Sequence, residues 1–135
     1  MRMRTVEWDA ETCQVRLIDQ RLLPGRFELY HCKDIPSVIF SIQHMVVRGA
    51  PAIGAAAAFG MALAACQSKA TTLPALQKEL AATALELIDS RPTAVNLAWA
   101  VNRMLALVQQ AAGSTDDLRR SMLNEAQAIA DEDVR

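Results

Sequence analysis

An arginine followed by two small residues and a proline is the feature of this chain best suited to chemistry on an anion. Arg48, Gly49 and Ala50 stand directly before Pro51 and a run of small apolar residues that reaches Gly60. Proline suits the first turn of a helix, where its missing N–H costs no hydrogen bond. We therefore predict a loop that leads into a helix N-terminus, where free N–H groups and partial positive charge bind anions.

A second loop repeats this arrangement. Arg91 directly precedes Pro92, which we expect to start an apolar helix that runs to about Ala112. Two guanidinium groups in one small domain can converge on one cleft and offer planar, paired donors to a phosphate. The alternative is that Arg48 and Arg91 are ordinary surface or helix-capping arginines, and the residue pattern leaves both interpretations open.

The other reactive side chains form no recognisable site. Asp9 and Glu11 are candidates for an acid–base pair, but they fall in a polar turn that we expect to be solvated. The three cysteines, Cys13, Cys32 and Cys66, lack metal-ligand spacing and a neighbouring base, and we expect Cys66 in the core. Their odd number, without a secretory leader, indicates reduced thiols and a cytoplasmic protein. We predict no metal site.

Composition limits the class of protein. The chain has 135 residues, 52% hydrophobic and 21% charged, which is enough for one domain with a real core. A net charge of -1 gives no electrostatic reason to bind nucleic acid or an anionic membrane. The longest apolar run, residues 50–66, consists mostly of Ala and Gly and favours a buried helix over a membrane span.

Period-two alternation at the start of the chain gives way to helical periodicity after residue 34. The expected fold class is α+β, predominantly α-helical, with a small N-terminal antiparallel β-meander (1–31) followed by about five helices (34–133). We expect strands at residues 5–8, 14–18 and 27–30. The expected helices are one capped by Asp34, the Pro51 helix, one from near Thr72 to Ser90, the Pro92 helix, and one capped by Ser114.

Four motifs, in the same order along the chain, resemble those of methylthioribose-1-phosphate isomerases. They are Val6-Glu7-Trp8 and the strings that occupy residues 18–24, 47–54 and 90–97. That family shares a superfamily with the regulatory subunits of translation initiation factor 2B and with ribose-1,5-bisphosphate isomerases. The resemblance covers essentially the whole chain.

The resemblance implies an aldose–ketose isomerase of methionine salvage that converts methylthioribose 1-phosphate to methylthioribulose 1-phosphate without a cofactor or metal. It also implies that Arg48, Gly49, Ala50 and Arg91 bind the sugar-phosphate substrate. The family's catalytic cysteine and aspartate lie in a larger C-terminal Rossmann-like domain, which would begin soon after Arg135. We therefore expect no catalytic residue in this chain and expect it to be inactive alone.

The chain stops after the acidic residues 131–133 without a helix stop signal, which favours a truncated protein. We expect residues 1–135 to be the single N-terminal domain of a two-domain isomerase that is a homodimer when intact. The alternative is a non-catalytic helical interaction module, as in the initiation-factor relatives. The complete string Arg-Gly-Ala-Pro-Ala-Ile-Gly favours the isomerase, because a docking module has no need for it.

Overall fold

A small sheet followed by a helical bundle makes up this chain, and the computed structural model describes residues 6–18, 25, 28–44 and 50–132. Strands β1 (Val6–Asp9), β2 (Gln14–Ile18) and β3 (Leu29–Cys32) form an antiparallel sheet in the order β1-β2-β3. The helices are α1 (Ile35–Gln43), α2 (Ala50–Gln67), α3 (Leu73–Ser90), α4 (Val95–Gln109) and α5 (Thr115–Glu132). The expected α+β class, predominantly α-helical, is confirmed.

The strands follow the alternating pattern of the sequence, but β1 and β3 continue past their predicted ends, β1 by one residue to Asp9. β2 has its predicted bounds, and its inward residues Val15 and Leu17 are fully buried. β3 continues to Cys32 instead of ending at Tyr30, because Cys32 pairs with Val15 and buries its side chain on the same face. The helix-facing side of the sheet is therefore one residue pair longer than the sequence predicts.

Two helices begin at the residues that the sequence predicts as N-caps. The Asp34 carboxylate accepts hydrogen bonds from the amide of Ser37 at 2.9 Å and from its hydroxyl at 2.6 Å, at the start of α1. At the start of α5 the Ser114 hydroxyl accepts from the Asp117 amide at 3.1 Å, and the Asp117 carboxylate accepts in return from the Ser114 amide at 3.3 Å. Both caps satisfy first-turn N–H groups that have no partner within the helix.

The prediction that Pro92 starts the fourth helix is wrong. The Ala94 amide donates to the Arg91 carbonyl at 3.0 Å, so residues 91–94 close a turn and α4 begins only at Val95. The extended backbone of Arg91 follows from its position before a proline. The helix also ends at Gln109, earlier than the predicted end near residue 112.

The centre of the core is α2, which contacts all four other helices as well as β1 and β2. Its side chains are buried without interruption from Ile53 to Leu63. A Cβ atom added to Gly60 would lie 3.0 Å from Val38 Cγ1 and 3.7 Å from Leu87 Cδ1, so α1 and α3 reach the α2 backbone there. The predicted buried, Ala-rich central helix is confirmed.

An arginine on α5 holds the C-terminal end of α2. The Arg119 guanidinium donates to the carbonyl oxygens of Ala65 at 2.8 Å, Ser68 at 3.0 Å and Ala70 at 3.1 Å. A cation at this end satisfies carbonyls that lack helical partners and opposes the negative end of the helix dipole. Cys66 lies between two of these residues and is exposed, so the prediction that it belongs to the core is wrong.

The Ala-rich composition of residues 50–66 favours a buried helix over a membrane span. Within the described ranges, α2 included, the helices lack the combination of length and apolarity that a bilayer span requires.

We predict that Asp34→Ala lowers the free energy of unfolding at neutral pH by about 1 kcal/mol, because Ser37 loses its acceptor. Hydrogen bonds from the Ser37 hydroxyl and amide lower the pKa of Asp34 from its ordinary value of 3.8. Because the folded-state pKa is lower than the unfolded-state pKa, the carboxylate stabilises the fold fully at pH values above the unfolded-state pKa. This contribution disappears as the pH falls through the folded-state pKa. Urea unfolding at neutral pH and at about pH 2 measures both effects.

Asp34→Asn is the matched control, since its amide oxygen still accepts a hydrogen bond but does not titrate. It should retain most of the stability of the parent chain at neutral pH. A difference between Asp34→Ala and the parent chain that keeps its size in acid would contradict the capping role of the carboxylate.

Candidate functional site

The N-terminal ends of α2 and α4 touch each other. Gly54 lies in the second turn of α2, and Asn96 is the second residue of α4. A Cβ atom on Gly54 would lie 3.3 Å from the Asn96 carbonyl oxygen and 3.6 Å from Ala100 Cβ. Because only a residue without a side chain fits here without displacing its neighbour, Gly54 allows the two helix starts to meet.

This contact decides which end of the bundle carries the predicted site residues that the structure describes. Ala50 is the first residue of α2 and lies about one helical turn from Gly54. Arg91 is the C-cap of α3, in the turn that leads into α4 five residues before Asn96, so it lies at the same end of the bundle. Arg48 and Gly49, the other two predicted site residues, lie outside the described residues, directly before α2.

The Arg91 side chain is half-buried and differs from the other arginines of the described ranges. It alone among them makes no ion pair or side-chain hydrogen bond within those ranges. The others bind carboxylates: Arg16 pairs with Glu7, Arg103 with Glu125 and Glu132, Arg119 with Asp116, and Arg120 with Asp117. The planar donors of Arg91 are thus available to an external acceptor such as a phosphate.

The start of α4 adds backbone donors to this arginine. Its N-cap is Ala94, which offers no side-chain acceptor, and no acidic residue lies in the first turn of α4 or of α2. By contrast, α1 is capped by the Asp34 carboxylate and α5 carries Asp116 and Asp117 in its first turn. The start of α3, like that of α4, has neither a side-chain cap nor an acidic first turn. The first-turn amides of α4 and its partial positive charge are therefore not neutralised by a side chain of its own.

The remaining candidate groups lie elsewhere or are chemically inert. Burial raises the pKa of the Cys32 thiol to about 12, and the opposing hydrogen bond from Ser41 is the weaker influence. Asp9 is the last residue of β1 and not, as predicted, part of the turn; its carboxylate accepts from the amides of Glu11 and Thr12 in the exposed turn that follows. Throughout the described ranges, His, Cys, Asp and Glu form no group of three or more that could hold a metal ion.

A cavity of about 320 Å³ lies away from these loops. It is lined by Val6, Glu7, Trp8, Arg16 and Gln127, and so belongs to the sheet and α5. Arg91, the predicted site residue whose side chain the structure describes, does not line it.

The chain resembles known proteins over nearly its whole length. The sequence model of the Initiation factor 2 subunit family matches residues 46–135. A methylthioribose-1-phosphate isomerase of Herpetosiphon aurantiacus is 51% identical over 134 residues, an alignment that covers 97% of this chain and 36% of the relative. The chain therefore spans a little over a third of the length of that relative.

Two solved structures share the fold. One is 5-methylthioribose 1-phosphate isomerase from Pyrococcus horikoshii OT3, with a TM-score of 0.89 and 44% identity over 96% of this chain and 36% of that one. The other is translation initiation factor eIF-2B, subunit delta, from A. fulgidus, with a TM-score of 0.91 and 35% identity over 98% of this chain and 38% of that one.

We predict that Gly54→Leu lowers the free energy of unfolding by about 2 kcal/mol or more, because the new side chain must displace the Asn96 carbonyl or the helix that carries it. The control is Ala64→Leu, a half-buried position on the same helix where a longer side chain can extend towards solvent. Urea unfolding gives the energies, and amide chemical shifts report the start of α4. Equal destabilisation by the two variants, or unchanged shifts at residues 94–97, would contradict the contact.

Proposed function

This chain belongs to the Initiation factor 2 subunit family, and from that premise we propose that it is the substrate-binding part of a methylthioribose-1-phosphate isomerase. It is homologous to the N-terminal portion of such isomerases. The observation that carries the proposal is the contact of Gly54 with the Asn96 carbonyl. That contact joins the start of α2 to the start of α4, so residues 50–54 and 90–97, the described parts of two isomerase-like motifs, lie at the same end of the bundle.

The chemistry of a sugar phosphate explains why these two loops suit it. A phosphate dianion is bound best by paired guanidinium donors together with backbone N–H groups at a helix start. Arg91 and the uncapped first turn of α4 supply both kinds of donor. Arg48, Gly49 and Ala50 would supply the same two kinds at the start of α2. In this proposal the four residues bind the substrate.

Proton transfer between C1 and C2 of the sugar needs a positioned acid or base in a site from which water is excluded. The cysteines of this chain do not meet that need. The side chain of Cys32, in β3, is fully buried on the helix-facing side of the sheet, and Cys66 lies about 24 Å from Ala50 along α2. We therefore propose that this chain is the N-terminal domain of a two-domain enzyme, dimeric when intact, whose C-terminal domain carries the catalytic groups.

A second candidate function is a non-catalytic interaction module. It is favoured by the TM-score of 0.91 with the archaeal structure named as a translation initiation factor subunit. It is also favoured by the exposed apolar side chains of Val95 and Trp99 on α4, which are 78% and 52% exposed. Such a module would bind another protein through this surface and would not need the free donors of Arg91.

We predict that methylthioribose 1-phosphate binds to this chain and that Arg48→Ala and Arg91→Ala each weaken binding about tenfold or more. Loss of a charge-assisted, paired hydrogen bond to a phosphate costs more than about 1.4 kcal/mol, which is one decade in Kd. Isothermal titration calorimetry at low ionic strength measures the affinities.

Arg120→Ala is the matched control, because Arg120 is an exposed arginine on α5 whose ion pair is with Asp117. Its affinity should equal that of the parent chain. Methylthioribose without phosphate serves as the control ligand and should bind far more weakly. An affinity for methylthioribose 1-phosphate that neither arginine substitution changes would refute the proposed site and favour the interaction module.

We also predict no isomerisation of methylthioribose 1-phosphate by the purified chain of 135 residues. The assay follows formation of the ketose by NMR at substrate concentrations above the measured Kd. A full-length relative serves as the positive control. Turnover by this chain alone would show that it contains the catalytic acid or base. It would contradict the proposal that a C-terminal domain carries the catalytic groups.

A further inference from the structure

Three residues of α4 combine exposed apolar surface with a fixed cation. Val95, Trp99 and Arg103 follow each other at intervals of four residues, so they lie on one face of the helix, which we call the Trp99 face. Val95 is 78% exposed and Trp99 is 52% exposed. Neighbouring exposed side chains of this kind are typical of a surface that another protein segment covers.

Arg103 holds the Trp99 ring in place. The guanidinium carbon of Arg103 lies 5.4 Å from the centroid of that ring. The same guanidinium donates to the Glu125 carboxylate at 2.5 Å and to the two carboxylate oxygens of Glu132 at 2.9 Å and 2.8 Å. Because three hydrogen bonds fix the cation over the ring, Trp99 has little conformational freedom to lose when a partner packs on it. Tryptophan and arginine are also the residue types that contribute most to protein interfaces.

The Trp99 face lies beside the end of α5. Glu132 is the last residue of that helix, and it is bound by the same arginine that lies over the Trp99 ring. In the two isomerase relatives, the portion similar to this chain is N-terminal and covers 36% of each. In such a protein, the polypeptide that follows this portion therefore starts next to the Trp99 face.

This tether gives the following polypeptide an advantage over any separate protein. A segment joined through a short linker is present near its binding surface at an effective concentration on the order of millimolar. A separate partner would have to displace it from the Trp99 face.

We propose that the Trp99 face is the docking surface for the polypeptide that follows the matched portion in the isomerase relatives, with Trp99 as its central anchor. The assignment rests on the proposed function, in which this chain is the N-terminal domain of a two-domain enzyme. It adds the surface that holds the second domain against α4, the helix whose start carries the proposed phosphate donors. The apolar side chains that favour an interaction module are in this proposal covered within one protein.

The test joins this chain to the part of the Herpetosiphon aurantiacus relative that follows its matched portion. The joined chain and the chain of 135 residues are exposed to hydroxyl radicals and then digested with trypsin. Oxidation of Trp99 is measured in peptide 79–103, and oxidation of Trp8 in peptide 5–16 is the internal reference. Trp8 suits this purpose because it belongs to the sheet and its ring stacks on Phe59 of α2.

We expect the oxidation rate of Trp99 to fall about fivefold or more in the joined chain, because a docked domain excludes solvent from the ring. The rate for Trp8 should stay the same. An unchanged rate for Trp99 would overturn the proposal. Protection of Trp99 that rises with the concentration of the 135-residue chain would overturn it as well, because a second copy would then cover the face.

Val95→Asp and Ala75→Asp are the matched variants of the joined chain. Each places a carboxylate at an exposed position in the first turn of a helix, α4 or α3, where it interacts favourably with the helix dipole. Val95→Asp also puts a charge into the proposed interface, so the oxidation rate of Trp99 should return to within about twofold of the rate in the 135-residue chain. Ala75→Asp lies at the end of α3 opposite to the turn that leads into α4, and it should leave Trp99 protected. Equal rates in the two variants would contradict the proposed face.

Isomerisation of methylthioribose 1-phosphate by the joined chain, followed by NMR, separates the docking surface from the proposed function. Protection of Trp99 without turnover would support the docking surface and contradict the proposed function. Turnover with an unprotected Trp99 would support the proposed function and refute the docking surface.

Discussion

The side chains of α2 are mostly small and extend little beyond the helix backbone. The elements that pack on α2 must therefore approach it closely before any contact forms. Dispersion forces fall off within fractions of an ångström, and a gap beside an alanine would leave that surface without partners. At Gly60 and Gly54 the nearest neighbouring atoms lie 3.0 Å and 3.3 Å from where a Cβ would stand, closer than an ordinary van der Waals contact. This requirement for close approach fixes the distance of α1, α3 and α4 from the central helix, and the positions of their ends follow from it.

The two ends of α2 have opposite electrostatic character, and they also differ in the side chains that surround them. At its C-terminal end, carbonyl groups are bound by the Arg119 guanidinium of α5, so the negative end is satisfied within the fold. Its N-terminal end meets the start of α4, where Ala94 provides no capping side chain and Arg91 donates to no acceptor within the described ranges. At the start of α4, positive potential is thus not balanced by a side-chain cap or by an acidic first turn. The start of α3 lacks both as well, but at the start of α4 the guanidinium of Arg91 adds to the potential, so an anionic ligand would be stabilised there.

Relatives named as an isomerase and as a translation initiation factor subunit share this fold at TM-scores of 0.89 and 0.91. The architecture alone therefore does not distinguish catalysis from subunit contact, since one fold can carry unrelated functions. Our proposal of a substrate-binding domain depends instead on the donor groups of Arg91 and of the start of α4. It also depends on the distance between this end of α2 and the Cys66 thiol at the other end. The exposed side chains of Val95 and Trp99 lie beside those donors, so binding of a ligand and binding of a partner would use neighbouring surfaces.

The sequence by itself determined the features that depend on residues close together in the chain: the order of strands and helices, the cap formed by Asp34 and the uninterrupted burial of α2. Such features follow from periodicity and from hydrogen bonds that span three or four residues. Only the tertiary structure decided that Gly54 meets Asn96, that Arg119 closes the end of α2 and that Cys66 is exposed. These outcomes depend on how whole helices pack against each other. The packing energy is a sum over many side chains that are far apart in the sequence, and local sequence patterns do not specify which of them will be in contact.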